Sequence, residues 1–441
     1  MIRIGLMANT IFSPNRRELL GKMSALALGP ILSQMALAQA LPSLRLKAKP
    51  TTLPLRSGAS TAIWALERPA ASPVLKPGGK LTVFFQNALP VPTALDWRGM
   101  DGASGAEPLI SYAPVAPGAE AAFALPLRRP GTFSCDVRLL GDGQSQPSRP
   151  LPIVVQESES IAIAKDEVFL VEDWRTRPDG GAFTPGSEAN EARPLYTVNG
   201  QVLPDISLRS REPVKLRVIN GCQREVIAVR MEGCEVRVIA LDSAAAEPFL
   251  ARNSVLVLAP GGRIDALITV AAAPGAALPV LLHDGKDARN LARFIISKEP
   301  PLAPAPLPAA PAPSSDGLPV RLELRGALRV DLALSGGEWL RPADFSSSAV
   351  PAFRANAGRT VVLALTNHAV VATAFHLHGH HFRLLDRLDD GWKPFWLDTL
   401  AIEPGQTQRI AFAAEFSGRW LLESTRADWT APKLVQWYSI E

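Results

Sequence analysis

The chain has 441 residues, 47% of them hydrophobic and 20% charged, which supplies enough apolar side chain for sizeable cores and excludes a largely disordered protein. Its 40 Pro and 32 Gly favour short elements joined by turns over long helices, because Pro removes a backbone donor and breaks helix interiors. The net charge of +4 is no mark of a nucleic-acid or anionic-membrane binder, since Arg3, Arg16, Arg17 and Lys22 against Glu18 place +3 of it in the first 40 residues.

Those residues read as a leader. Asn15-Arg16-Arg17-Glu18-Leu19-Leu20 precedes an apolar stretch from Met23 to Leu37, and Ala38-Gln39-Ala40 offers a small-x-small cleavage site. Residues 1–40 therefore resemble a twin-arginine signal peptide, which implies export of the folded protein to the periplasm. Gly29-Pro30 interrupts a run already short of the ~20 residues a membrane span needs. No span is expected in the mature chain.

After the leader, two signatures recur. A strand ending in Asn appears at Lys80–Asn87, Lys215–Asn220 and Thr360–Asn367, and Pro-Gly followed by an alternating strand appears at Pro117, Pro260 and Pro404, at intervals of 143 and 144 residues. So long a period, filled with short strands and Gly/Pro turns, predicts an all-β protein of three tandem β-sandwiches. The expected limits are 41–156 and 157–298, a Pro/Ala-rich extended linker over 299–316, and a third sandwich over 317–441. Cys135, Cys222 and Cys234 do not make a disulfide framework and are expected to be free and mostly buried.

Five of the six histidines fall between His368 and His381. In Phe375-His376-Leu377-His378-Gly379-His380-His381-Phe382, strand alternation places His376, His378 and His380 on one side, with Leu377 and His381 on the other. Two imidazoles two residues apart on a strand can converge on one ion, and neutral nitrogen donors suit copper or zinc.

This segment resembles the His-Leu-His-Gly-His motif in the last domain of multicopper oxidases, and Asp173-Trp174, Val198-Asn199-Gly200 and Asp398-Thr399 resemble other landmarks of that family. The resemblance spans essentially the whole mature chain. It implies three cupredoxin-like Greek-key domains, a mononuclear copper held by Cys and His that accepts electrons, and a three-copper cluster between first and third domains that reduces dioxygen.

The departures from the family pattern are specific. Asp96-Trp97-Arg98-Gly99 stands where the family has His-Trp-His-Gly, and Asp136-Val137-Arg138 stands where a second His-x-His is expected. Glu423-Ser424-Thr425 replaces His-Cys-His, and Thr373 replaces a histidine three positions before His376. A blue-copper site needs a thiolate, which neither Thr373 nor Ser424 provides. His376 and His378 are thus the only cluster ligands retained.

Asp96, Arg98, Asp136 and Arg138, joined by Glu423 and Arg426, are expected to form an ion-pair network in the old copper site, with guanidinium replacing the metal's charge. His376 and His378 would then hydrogen-bond to carboxylates such as Asp96 or Asp136 and be protonated. The expected function is a periplasmic, non-redox scaffold that binds a protein partner and carries no cofactor; the family includes copper-free members, one associated with bacterial cell division. The alternative is an enzyme, a copper-dependent oxidoreductase built on His376 and His378 with a carboxylate from Asp96, Asp136 or Glu423. Copper storage is a third reading, which six Met and three Cys do little to support.

Overall fold

The computed structural model describes residues 42–56, 58–157, 163–189, 192–303, 317–386 and 391–441. Residues 1–40, expected as a leader, and 304–316, within the expected linker, lie outside them. Residues Leu41–Glu441 group as one compact unit. Among the described residues helix is limited to four single turns of 3-10 type, and no helix is long and apolar enough to cross a membrane.

The strands of the described residues form six sheets that pair into three sandwiches, each drawn from one stretch of chain. In the first, Ala59–Glu67, Ser43–Arg56, Gly79–Asn87 and Glu120–Leu127 face Asp96–Arg98, Gly131–Asp136 and Leu151–Val155. Lys165–Ile296 supplies a six-stranded and a five-stranded sheet, and Leu328–Ile440 a four-stranded and a five-stranded sheet. Each pair encloses its own apolar core, centred on Val83 and Phe85, on Val218 and Ile268, and on Leu363 and Phe412. Alternation explains the inward faces: Leu44, Leu46 and Ala48 are buried while Ser43, Arg45 and Lys47 are exposed.

The structure gives the two repeated signatures a common purpose. Asn87 ends its strand by donating from Nδ2 to the carbonyls of Val91 and Val115 and accepting from the Leu89 amide. Asn220 bonds in the same way to Glu225, Leu258 and Cys222, and Asn367 to Val371, Ile402 and Ala369. The glycine of each Pro-Gly turn, at φ of 76°, 85° and 67° in Gly118, Gly261 and Gly405, then donates its amide to the carbonyl of that same asparagine. One side chain thus satisfies three buried backbone groups where the chain leaves the sheet, and the turn closes on it. All three cysteines are free and buried.

Candidate functional site

The strand Thr373–Leu377 lies between Gly418–Arg426 and Thr399–Ile402, which sets His376 directly across from Glu423 on one side and Thr399 on the other. In the first sandwich Asp96 is opposite Asp136, so two carboxylates are juxtaposed on neighbouring strands. These two sheets meet at the junction of first and third sandwiches, and a buried charge cluster fills it.

Arg98 bridges the two sides. Its Nη2 lies 2.8 Å from Asp96 Oδ2 and 2.9 Å from both oxygens of Glu423. Lys433 Nζ reaches Glu423 Oε2 at 3.0 Å. Arg138 holds Asp136 through Nε at 2.8 Å and its own amide at 2.7 Å, and donates from Nη1 to the carbonyl of Gly221 in the second sandwich. Burial would raise the Glu423 carboxyl, but Arg98 and Lys433 hold it well below the ordinary range. Asp96 goes the other way, to about 6, because burial outweighs Arg98 and Glu423 adds a like charge.

His378 presents Nδ1 to Glu107 Oε1 at 2.9 Å and Nε2 to Glu423 Oε1 at 2.7 Å. Both neighbours accept, so both ring nitrogens donate and the ring is an imidazolium. Burial opposes that charge, yet Glu107 and Glu423 raise its pKa to about 10. His376 differs. Its Nδ1 donates to the Asp398 carbonyl at 2.9 Å beside the Thr399 hydroxyl, leaving Nε2 with a lone pair and no protein partner. Burial, then Arg98, push its pKa well below 6.5, so the expected protonation of this ring is corrected. His376 borders a cavity of about 30 Å³ also lined by Arg98, Arg138 and Lys433, room for little more than a water or two.

Strand alternation does not continue past His378. Gly379 has φ of 74°, and a Cβ there would overlap the Trp420 indole, so only glycine makes this turn. His380 consequently leaves the side on which the sequence placed it and enters the third core, where Tyr438 Oη lies 2.7 Å from Nδ1 and burial lowers its pKa to about 4. His381 points to the first and second sandwiches. Its Nδ1 meets Asp101 Oδ1 at 2.7 Å and its Nε2 the Asp242 carbonyl at 2.6 Å, while Arg129 pairs with the other Asp101 oxygen. Burial opposes charge on His381, but Asp101 raises its pKa.

The remaining expected residues are also placed. Thr373 donates to Asn367 Oδ1 at 3.0 Å and Ser424 to the Leu334 carbonyl at 2.6 Å, so both hydroxyls are used locally. Arg426 stands opposite Thr373 and near Asp428, and Lys433 takes the place in the cluster that Arg426 was expected to fill. Glu107 and Lys433 were missed. Glu107 follows a single 3-10 turn and Lys433 precedes the last strand, positions no spacing rule singles out. The ligand atoms of His376, His378 and Glu423 lie within 4.8 Å of one another, close enough to hold one ion.

Comparison with known proteins matches two models described as multicopper oxidase to residues 164–278 and 321–435, together more than half of the chain. The chain belongs to the multicopper oxidase family. Among solved structures, a multi-copper oxidase from Pseudomonas thermotolerans is similar over 90% of this chain and 99% of its own, at 25% identity and a TM-score of 0.74. McoA multicopper oxidase from Aquifex aeolicus matches at 16% identity and a TM-score of 0.74, covering 90% of this chain and 96% of that one. Lac15, from a marine microbial metagenome, matches at 22% identity and a TM-score of 0.72, covering 90% and 99%. No curated protein matches in sequence. The three sandwiches are accordingly the cupredoxin-like domains of a multicopper oxidase fold.

Proposed function

We propose that this multicopper-oxidase-like chain is a non-redox periplasmic protein that works by binding a protein partner. The observation that carries this is the charge cluster between the first and third sandwiches. Arg98, Arg138, Lys433 and the His378 imidazolium are matched there by Asp96, Asp136, Glu107 and Glu423. Fixed cations already neutralise the carboxylates, and each is partly buried or fully buried, where an added divalent charge meets little screening.

The family's copper ions do not fit these residues. Ser424 offers no thiolate, the Cys135 thiol is pushed up by burial and has Trp97 across from it, and both His378 nitrogens are spent on carboxylates. Of the two retained histidines only His376 keeps a free lone pair, on Nε2, and Arg98 stands beside it; the one other unpartnered donor atom in the cluster among the described residues is Asp96 Oδ1, whose carboxylate Arg98 already holds. The twin-arginine leader supports export in folded form, and 41–156, 157–298 and 317–441 are the domain limits this reading adopts.

One observation favours a mononuclear metal enzyme instead, namely the close approach of His376, His378 and Glu423 with an unpartnered Nε2. Calorimetric titration of residues 41–441 with copper(II) and with zinc separates the readings. The expected result is weak, unsaturable heat that is unchanged when His376 and His378 are both replaced by Ala. Submicromolar one-to-one binding that the double variant abolishes would transfer the assignment to the enzyme.

A further inference from the structure

A cleft of about 460 Å³ opens on the surface beside the charge cluster, where first and third sandwiches meet the Gly186 loop of the second. Its walls are apolar and stiff, formed by Pro92, Leu139, Pro342 and Pro432. Three charged residues border it, Asp142, Arg341 and Lys433. Both Asp142 oxygens are already taken, one by Arg224 Nη2 and the other by the Lys433 amide. Arg341 is exposed, with no ion pair or side-chain hydrogen bond among the described residues. Lys433, only 7% exposed, spends one of its three donors on Glu423. The cleft therefore pairs an apolar interior with the unpaired charge of Arg341 and with two spare donors of Lys433, whose charge Glu423 already balances, at a volume in the usual range of small-molecule sites.

We propose that this cleft binds a small organic carboxylate with an apolar body, the carboxylate meeting Arg341 and Lys433 and the body packing among the prolines. The site is separate from the family's copper positions, and it stands whether or not the protein partner proposed above exists. Lys433 borders both the cleft and the small cavity beside His376, so the ligand would rest on the outer side of the charge cluster.

The test uses 3-phenylpropionate and its uncharged amide as probes, titrated calorimetrically into residues 41–441. Saturable one-to-one binding of the carboxylate is expected, with the amide weaker by roughly tenfold because it lacks the charge. Arg341→Ala should weaken the carboxylate several-fold and leave the amide unchanged. Ala343→Trp, at an exposed position on the rim, should close the cleft to both probes. Because both side chains are exposed, thermal midpoints should stay at the parent value, so a lost signal reports binding rather than folding. Equal affinity for acid and amide, binding untouched by either substitution, or no saturable binding of the acid would each overturn the proposal.

Discussion

Replacing Arg98 and Arg138 together by leucine should lower the thermal midpoint of residues 41–441 sharply. The Arg98 side chain is 8% exposed and its partners Asp96 and Glu423 are 0% and 3% exposed, so its removal strands the Asp96 carboxylate away from water without its hydrogen-bonded cation and leaves Glu423 with only Lys433 and His378. Losing one member of a buried pair costs about 3–5 kcal/mol, most of it the penalty of the stranded charge. Arg138 and Asp136, at 12% and 4%, belong to the same class. Arg293 and Asp205 form an ion pair at 2.7 Å with side chains 48% and 49% exposed, and Arg293→Leu should cost only about 0–1 kcal/mol. The comparison isolates burial from charge. An unchanged midpoint in the Arg98/Arg138 variant would show that the cluster is hydrated rather than sealed.

Stability should also fall as pH rises from about 6.5 to about 10. His378 and His381 each sit between two acceptors and have pKa values raised above the ordinary 6.5, so the folded protein binds these protons more tightly than the unfolded chain. Their contribution is complete below the unfolded value and disappears as pH passes through the folded ones, which for His378 is about 10. Each group can add up to about 1.4 kcal/mol per pH unit within its window. Glu423, Asp136 and Asp398 have the opposite sign: their lowered values supply stability that is lost as pH falls. Asp96, raised to about 6, partly offsets them. Denaturant titrations across the alkaline range should show a steep loss for the parent and a shallower one for His381→Asn. Parallel slopes would mean that His381 is neutral in the folded protein.

Much of the architecture was readable because the repeat has a physical basis in sequence. A strand that ends in Asn and a Pro-Gly turn that closes on the asparagine carbonyl leave the same residues in each copy, since no other side chain of that size both donates twice and accepts from a backbone amide. The pairing of Asp96 with Arg98 was also legible, as same-parity positions on one short strand face the same way. What failed did so at a turn. Gly379 redirects the chain, and a period-two reading carried His380 to the wrong side. The state of His376 could not be read either, because its Nδ1 partner is a backbone carbonyl supplied by Asp398, 22 residues along the chain. Glu107 and Lys433 reach the cluster only through the third dimension.

The most direct test of the central claim is the metal content of residues 41–441 folded with copper available, read together with the visible spectrum. Retained ligands should fall short of any copper centre, so the preparation should be colourless and carry no stoichiometric copper. Four coppers per chain, or an intense blue thiolate-to-copper band that disappears when Cys135 is replaced, would contradict the account.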